Sequence, residues 1–343
     1  MGEGIVVAKI QDVAARANVS IATVSRVLNR SDHKVSSEAR ERVMSAVQAL
    51  DYRPNALARG LLMKRTMTVG VIIPDISNPY YAEIVRGIQD AADEKGYNIL
   101  LQNTDRKGER IIKSIYLLRE KIVDGVIFSG GYIHGYETLS ALKELKDRVV
   151  VIGRHEVNFP AALVDNISGA TEAIQHIIDS GYRRIAFIGG PEDSSTMIDR
   201  FKGYESALAQ NGLPVEKEML MWGDLTPESG CVAAEKLLEQ ESRPTAILAG
   251  NDMMAFGAIY AARQMGLRIP QDLAVVGFDD VQLSAFFHPG LTTVEIPRYQ
   301  MGLGAMEMLI DLIAGNRFDR MRWFKTRLVV RDSSGDHRPH GDI

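Results

Sequence analysis

Residues 9–29 read KIQDVAARANVSIATVSRVLN, and the spacing of apolar and turn-forming residues in this stretch decides how the chain begins to fold. Ile10, Val13, Ala14 and Ala17 recur at i, i+3, i+4 and i+7, the period of one helical face. The pattern breaks at Asn18-Val19-Ser20: asparagine tolerates a left-handed backbone, valine plugs the joint, and serine caps the helix that follows. That second helix, over 21–28, turns Val24, Val27 and Leu28 to the core and leaves Ile21, Ala22, Ser25 and Arg26 on the other side. Its outer face is slim, with one long cation, which suits entry into a major groove about 12 Å wide.

Working outward, Ser36 or Ser37 caps a third helix with Val43, Val47 and Leu50 on one face and Arg40, Glu41 and Gln48 on the other. A three-helix mini-core is complete at that point. A plain bundle that binds nothing is the competing reading, and the charge distribution argues against it. Residues 1–65 hold 11 Lys and Arg against 6 Asp and Glu, leaving 29 against 38 of the chain's 40 and 44. A small basic head therefore precedes an acidic body, and only the head is suited to a polyanion. Tyr52-Arg53-Pro54-Asn55 then halts the third helix, and Asn55 can cap a further segment over 56–62. That segment is shorter than the roughly 12 residues an isolated helix needs, and Gly60 costs about 1 kcal/mol against alanine. It is expected to be disordered without DNA; a flexible linker is the alternative.

The stretch quoted above, with VSSEARERVMSAVQALDYRPNALARGL at 35–61, resembles the DNA-binding headpiece of the LacI/GalR family almost position by position. The resemblance implies that Ile21, Ala22 and Arg26 read base edges, Arg26 by a bidentate bond to guanine and the two apolar residues through thymine methyls. It implies that Ser20, Thr23, Ser25 and Asn29 hold phosphates and the helix end. It further implies that the segment after Asn55 folds as a hinge helix in the minor groove, pairs with its dimer mate and wedges Leu61 into a central base step. Domain bounds follow as 1–52 for the head, 53–65 for the hinge and 66–343 for the core.

From Thr68 onward β-branched runs alternate with helical patterns. Expected strands are TVGVIIP (68–74), NILLQNT (98–104), GVIFSG (125–130), VVVIG (149–153), RIAFIGG (184–190), MLMWGD (219–224), AILAGN (246–251) and AVVGFDD (274–280). Helices fit between them, for instance over 81–95, 109–121, 167–180 and 200–211. Repeated βα units of this kind are α/β in class and make doubly wound parallel sheets covered on both faces. Two sets meeting near 158–166 imply two lobes, one of about 66–163 and 294–324, the other of about 164–293 and 325–343. The late segment TTVEIPRYQMGLGAMEMLI (292–310) is expected to cross back to the first lobe. This topology is similar to that of periplasmic sugar-binding proteins, whose ligand lies between the lobes at the carboxyl ends of the strands.

The loops at those strand ends supply the candidate effector residues. Asn78, Tyr80 and Tyr81 follow the first strand with an amide and two aromatics able to stack on a ring. Ser194 and Thr196 lead to Arg200, whose family counterpart commonly anchors hydroxyls or a carboxylate with its forked guanidinium. Asn251-Asp252 and Asp279 offer acceptors suited to sugar hydroxyls. Asp165-Asn166, between the lobes, binds ligand, relays closure or forms a simple turn. Many relatives place an aromatic after the Gly223-Asp224 pair, where this chain has Leu225. Nucleobase stacking is thereby disfavoured, a sugar or other polyol is the preferred effector, and whether Trp222 compensates is open.

The whole chain, 343 residues with 45% hydrophobic and 24% charged, has ordinary globular composition. Its one cysteine, Cys231, excludes a disulfide framework, and the histidines lack zinc spacing, so no metal or cofactor is expected. No signal-peptide pattern and no apolar run near the ~20 residues of a membrane span is visible, which points to the cytoplasm and away from membranes. No Gly-x-Gly-x-x-Gly, Walker loop or metal-ligand helix supports an enzyme, and a transport binding protein does not explain the head. The expectation is a repressor that binds a near-palindromic double-stranded operator as a homodimer under control of a small-molecule effector. Control by a phosphorylated protein corepressor is the alternative. The tail at 333–343 has no leucine heptad to support a tetramer.

Overall fold

The computed structural model describes residues 8–28, 35–52, 65–130, 136–145, 148–155 and 158–335. The chain divides into two units, Met1–Thr66 and Met67–Ile343.

In the first unit, α1 (Ile10–Ala17), α2 (Ile21–Leu28) and α3 (Ser37–Ala49) enclose Val13, Ala14, Ala17, Val24, Val27, Val43 and Ala46. Asp12 reaches back to accept the Lys9 amide at 2.7 Å, satisfying a donor that the first helical turn would leave open. Asn18 adopts the left-handed conformation at φ 51°, and Val19 packs against the core behind it. The hydroxyl of Ser20 accepts from the Thr23 amide at 3.1 Å, and Ser36 does the same for Ala39 at 3.3 Å. The corner and both caps thus form where the sequence places them. Ala46, small enough to let helices approach, is the core member that the periodicity alone does not single out.

The second unit contains two sheets whose parallel strands alternate with helices. In the first, the order is β11-β5-β4-β3-β1-β2, with β1 (Thr68–Ile73), β2 (Asn98–Asn103), β3 (Gly125–Ser129), β4 (Val149–Ile152), β5 (Ala161–Val164) and β11 (Met321–Phe324). In the second it is β12-β10-β9-β8-β6-β7, with β6 (Ile185–Gly189), β7 (Leu220–Trp222), β8 (Ala246–Ala249), β9 (Ala274–Asp279), β10 (Thr292–Glu295) and β12 (Arg327–Val329). Central strands are buried on both faces, which is why β1, β3 and β4 read as continuous apolar runs rather than alternating ones. The four strands absent from the sequence reading, β5, β10, β11 and β12, are only three or four residues long. β11 and β12 are edge strands, the first largely exposed and the second half-buried.

The helices that shape the site are α4 (Pro79–Glu94), α7 (Asn166–Asp179), α8 (Ser195–Gln210), α10 (Asp252–Gln264) and α12 (Arg298–Ala314), with α5 (Gly108–Glu120), α6 (Tyr136–Lys143), α9 (Pro227–Leu238) and α11 (Leu283–Phe286) completing the layers. α4 starts earlier than its apolar period suggests, because Asn78 caps it and Pro79 occupies the first turn, where its missing N–H costs nothing. α8 starts five residues before Arg200, so Thr196, Met197 and Arg200 share one helix. The chain crosses between sheets after β5, after β10 and after β11. The second crossing delivers α12 to the first lobe, where its backbone meets that of α4. A Cβ on Gly87 would fall on the Tyr299 carbonyl and one on Gly302 on that of Ile84, so only glycine allows this approach.

Candidate functional site

In each sheet the first strand is followed by a neighbour on one side and then by strands on the other. The order therefore reverses between β1 and β3, and again between β6 and β8. Loops leaving such strands in opposite directions open a crevice at their carboxyl ends. A cavity of about 80 Å³ lies there, lined from both lobes. The first lobe contributes Asn78, Tyr80 and Tyr81 after β1, Arg106 after β2, Ser129 and Gly130 from β3, and Ile152 and Gly153 from β4. The second contributes Pro191, Ser194, Thr196, Met197 and Arg200 after β6, Leu225 after β7, Asn251 after β8 and Asp279 at the end of β9.

Arg200 organises the second lobe's wall. It is buried to 3% exposure, donates from Nε to Asn166 Oδ1 at 2.9 Å and from Nη1 to the Gly250 carbonyl, and approaches Asp279 at 3.4 Å from Nη2. Its guanidinium lies 3.6 Å over the Phe278 ring, an attraction of cation for aromatic face that fixes its plane. Asp279 sits at φ 122°, a backbone conformation that side chains rarely adopt, and its carbonyl accepts from Arg298 Nη1. Burial raises the Asp279 carboxyl above the usual range, while the Arg200 and Arg298 guanidiniums pull it back. Asn251 caps α10 by accepting the Met254 amide at 2.9 Å and donates from Nδ2 to the Leu225 carbonyl at 3.2 Å.

On the opposite wall, Asn78 Oδ1 accepts the Tyr80 amide at 2.9 Å, so its carbonyl is committed to capping α4. The Tyr80 and Tyr81 rings stand edge to face, 5.0 Å apart. Burial pushes the Tyr81 hydroxyl up to about 12, against the pull of the nearby Arg106, and raises Tyr80 as well, so both stay neutral and can donate. Two further contacts join the lobes: Arg106 Nη1 donates to the Asp224 carbonyl at 3.0 Å, and Arg154 grips Asp199 at 2.7 and 2.8 Å.

Eight of the candidate effector residues thus line one cavity; Asp165, Asn166 and Asp252 do not. Asp165 caps α7, accepting the Ser168 amide at 3.0 Å and its hydroxyl at 2.6 Å, and its neighbour Asn166 instead orients Arg200. Asp252 is fully buried behind the wall, taking donors from Val281, Ser284 and Thr293, so it pins loops together and offers nothing to the cavity. Trp222 does not take the place of an aromatic at Leu225: it packs against Phe187 and Phe201 beneath Gly189, while Leu225, at φ 72°, faces the cavity. Arg106 and Ser129 were not anticipated. Arg106 lies in a charged run, DRKGER, that reads as a solvated helix start, and no sequence pattern separates it from its neighbours.

On the head, Ser20, Ile21, Ala22 and Arg26 are exposed, and Thr23 and Ser25 are half-buried. Ile21 keeps 46% of its surface exposed at the start of α2, where a purely structural helix would place a polar residue. Asn29, Asn55 and Leu61, and with them the helix expected over 56–62, lie outside the described residues. No helix among the described residues is long and apolar enough to cross a membrane, and none of their His, Cys, Asp and Glu residues cluster in a way that could hold a metal ion.

Residues 9–55 match the bacterial regulatory proteins of the lacI family, and residues 66–326 match the periplasmic binding proteins and sugar binding domain of the LacI family. Catabolite control protein A of Priestia megaterium is 44% identical over 303 residues, 88% of this chain and 91% of that protein. The Lac repressor dimer bound to operator and the anti-inducer ONPF superposes with a TM-score of 0.87 at 27% identity, covering 96% of this chain and 99% of that one. The complex of the transcriptional regulator CelR with cellobiose does so at 0.72 and 33% identity, over 95% and 99%. These relatives are regulators rather than enzymes, and the sugar-binding description of the body does not favour control by a phosphorylated protein corepressor. With one match spanning the helical head and the other most of the two-lobed body, the chain belongs to the LacI family and is a DNA-binding transcription regulator.

Proposed function

We propose that the chain works as a cytoplasmic homodimeric repressor whose operator affinity is set by a sugar or related polyol held between the lobes of its body. The observation that carries this reading is the convergence of Asn78, Tyr80, Tyr81, Ser194, Thr196, Arg200, Asn251 and Asp279 on one cavity at the strand ends. Aromatic edges, a fixed guanidinium and a buried carboxylate are what a ring bearing many hydroxyls needs. The dimer bound to operator in the Lac repressor structure, and the cellobiose held by CelR, support the same assignment by similarity.

On the head, α2 is the recognition helix. Ile21, Ala22 and Arg26 face base edges, Ser20, Thr23, Ser25 and Asn29 meet phosphates or hold the helix end, and Asn55 and Leu61 belong to the hinge. Two heads reading two half-sites require two chains. Ligand-driven closure of the lobes then shifts the equilibrium of the hinge segments and with it operator affinity.

A melting screen of the purified chain against pentoses, hexoses and disaccharides tests the ligand class, since a ligand at 100 times its Kd adds about 2.7 kcal/mol. A family of related sugars that raises Tm, and no longer does so in Arg200→Ala, is the expected result; a rise that survives in Arg200→Ala places the ligand elsewhere. For the head, Arg26→Ala is expected to cost about 1–3 kcal/mol at one base position, whereas a uniform loss across sequences would assign Arg26 to phosphate.

A further inference from the structure

Arg106 and Ser129 leave polar atoms in the cleft that the protein itself does not satisfy. The Nη2 of Arg106 and the Oγ of Ser129 are both buried without a hydrogen-bond partner among the described residues, and both residues line the cavity. Ser129 is 1% exposed. Nη1 of Arg106 donates to the Asp224 carbonyl and the guanidinium lies against the Tyr81 hydroxyl, but among the described residues no carboxylate lies within ion-pairing distance of it. Across the cleft Arg200 is paired with Asp279, so of the two guanidiniums on the lining Arg106 is the one without an ion pair among the described residues, its charge felt only at longer range by the Asp224 carboxylate.

The backbone around Arg106 is held in an unusual form. Asp105 and Arg106 both lie in the left-handed region, at φ 48° and 57°, without being glycine. Asn103 and Arg110 brace Asp105 from either side, so the loop is over-determined. Consecutive left-handed residues are costly and persist where they aim a side chain.

We infer that the ligand of this cleft carries an anionic group, a carboxylate or a phosphate ester, seated against Arg106 and Ser129, with its hydroxyls toward Arg200 and Asp279. The inference rests on the proposed cleft reading and narrows it from polyols in general to acidic ones. A neutral hydroxyl would accept from Nη2 but leave the guanidinium without a counter-charge, whereas an anion adds an ion pair to the charge-assisted hydrogen bond. Ser129 then adds a donor to the same group.

The test is calorimetric titration of the full chain with matched sets: glucose, gluconate, glucuronate and glucose 6-phosphate, and ribose, ribonate and ribose 5-phosphate. An acidic member is expected to bind roughly ten- to hundredfold more tightly than its neutral parent, with the carboxylate and phosphate arms showing which anion fits. Arg106→Gln is expected to erase that preference and Arg106→Lys to keep part of it. A neutral sugar that binds as tightly as its acids, an Arg106→Gln variant that weakens neutral and acidic members alike, or no acidic member binding at millimolar concentration overturns the inference. Arg200→Ala separates the two readings. If a neutral sugar binds and Arg200→Ala abolishes it, the cleft stands and only the anion falls; if acids bind and neither Arg200→Ala nor Arg106→Gln weakens them, both readings fall.

Discussion

The two lobes repeat one strand order: β1 to β5 in the first correspond to β6 to β10 in the second, and the edge strands β11 and β12 close each sheet, one parallel and the other antiparallel. Their polar interiors are nevertheless different. On the second lobe's wall Asp279 is paired with Arg200, and behind it Asp252 is bonded to Ser284 and Thr293, and Thr292 to Ser333 and Ser334. On the first lobe's wall two buried polar atoms, Arg106 Nη2 and Ser129 Oγ, have no partner among the described residues. One wall is set in advance by its own hydrogen bonds, and the other keeps two buried polar atoms unpaired among the described residues. A shared fold thus fixes where a ligand sits, while residues grafted onto it decide what each side recognises.

Deleting the keystone of the finished wall should have the largest effect. Arg200→Ala leaves Asp279 buried beside an empty space, and a loss of roughly 3 kcal/mol in denaturant unfolding is expected together with loss of ligand binding. A change below about 1 kcal/mol would mean that Arg298 alone suffices for Asp279. Asn166→Ala, removing the acceptor for Arg200 Nε, should cost about 1–3 kcal/mol by the same measurement and weaken ligand binding through misplacement of the guanidinium. An Asn166→Ala chain with unchanged stability and affinity would show that Arg200 is held by its other contacts.

Acid titration should also act on one lobe. Burial first, and Asp279 second, raise the Asp252 carboxyl above its unfolded value. From about pH 4 upward the folded chain therefore keeps a proton that the unfolded chain has released. Stability from this group is present below that window and is lost as pH rises through it, by at most about 1.4 kcal/mol per pH unit for one proton. Melting from pH 4 to 8 should show a steeper decline in the parent than in Asp252→Asn, and parallel curves would remove Asp252 as the source. The smallest effect belongs to the unfinished wall: Ser129→Ala discards an unbonded hydroxyl and should change stability by no more than about 1 kcal/mol, even raising it. A loss above about 2 kcal/mol would reveal a bond to the hydroxyl and erase the contrast between the walls.

Much of this molecule is legible from residue order because the forces concerned are local. The period of Ile10, Val13, Ala14 and Ala17, the turn at Asn18 and the caps at Ser20 and Ser36 are decided within a few residues of each other, and α1 to α3 fall accordingly. The central strand runs are legible for a similar reason, since burial on both faces makes β1, β3, β6 and β9 apolar along most of their length. The polar residues after those strands are conspicuous, and most of the polar lining of the cavity follows once the fold is granted.

What the order of residues does not carry is the state of each polar group once folded. Asp165 and Asp279 both follow strands, yet one caps a helix in solvent and the other faces the cavity, because their partners, Ser168 and Arg200, lie at very different separations in the chain. Asp252 reads as a second ligand acceptor beside Asn251 until Ser284 and Thr293 arrive from over 30 residues away to claim it. Arg106 reads as surface charge until β2 brings its loop against the second lobe. Local sequence determined the helices, the strands and their caps, since hydrophobic period and turn chemistry act over a few residues. Only the tertiary structure decided which polar atoms are satisfied and which wait for a ligand, since that depends on partners distant in sequence and on exclusion of water from the place where they meet.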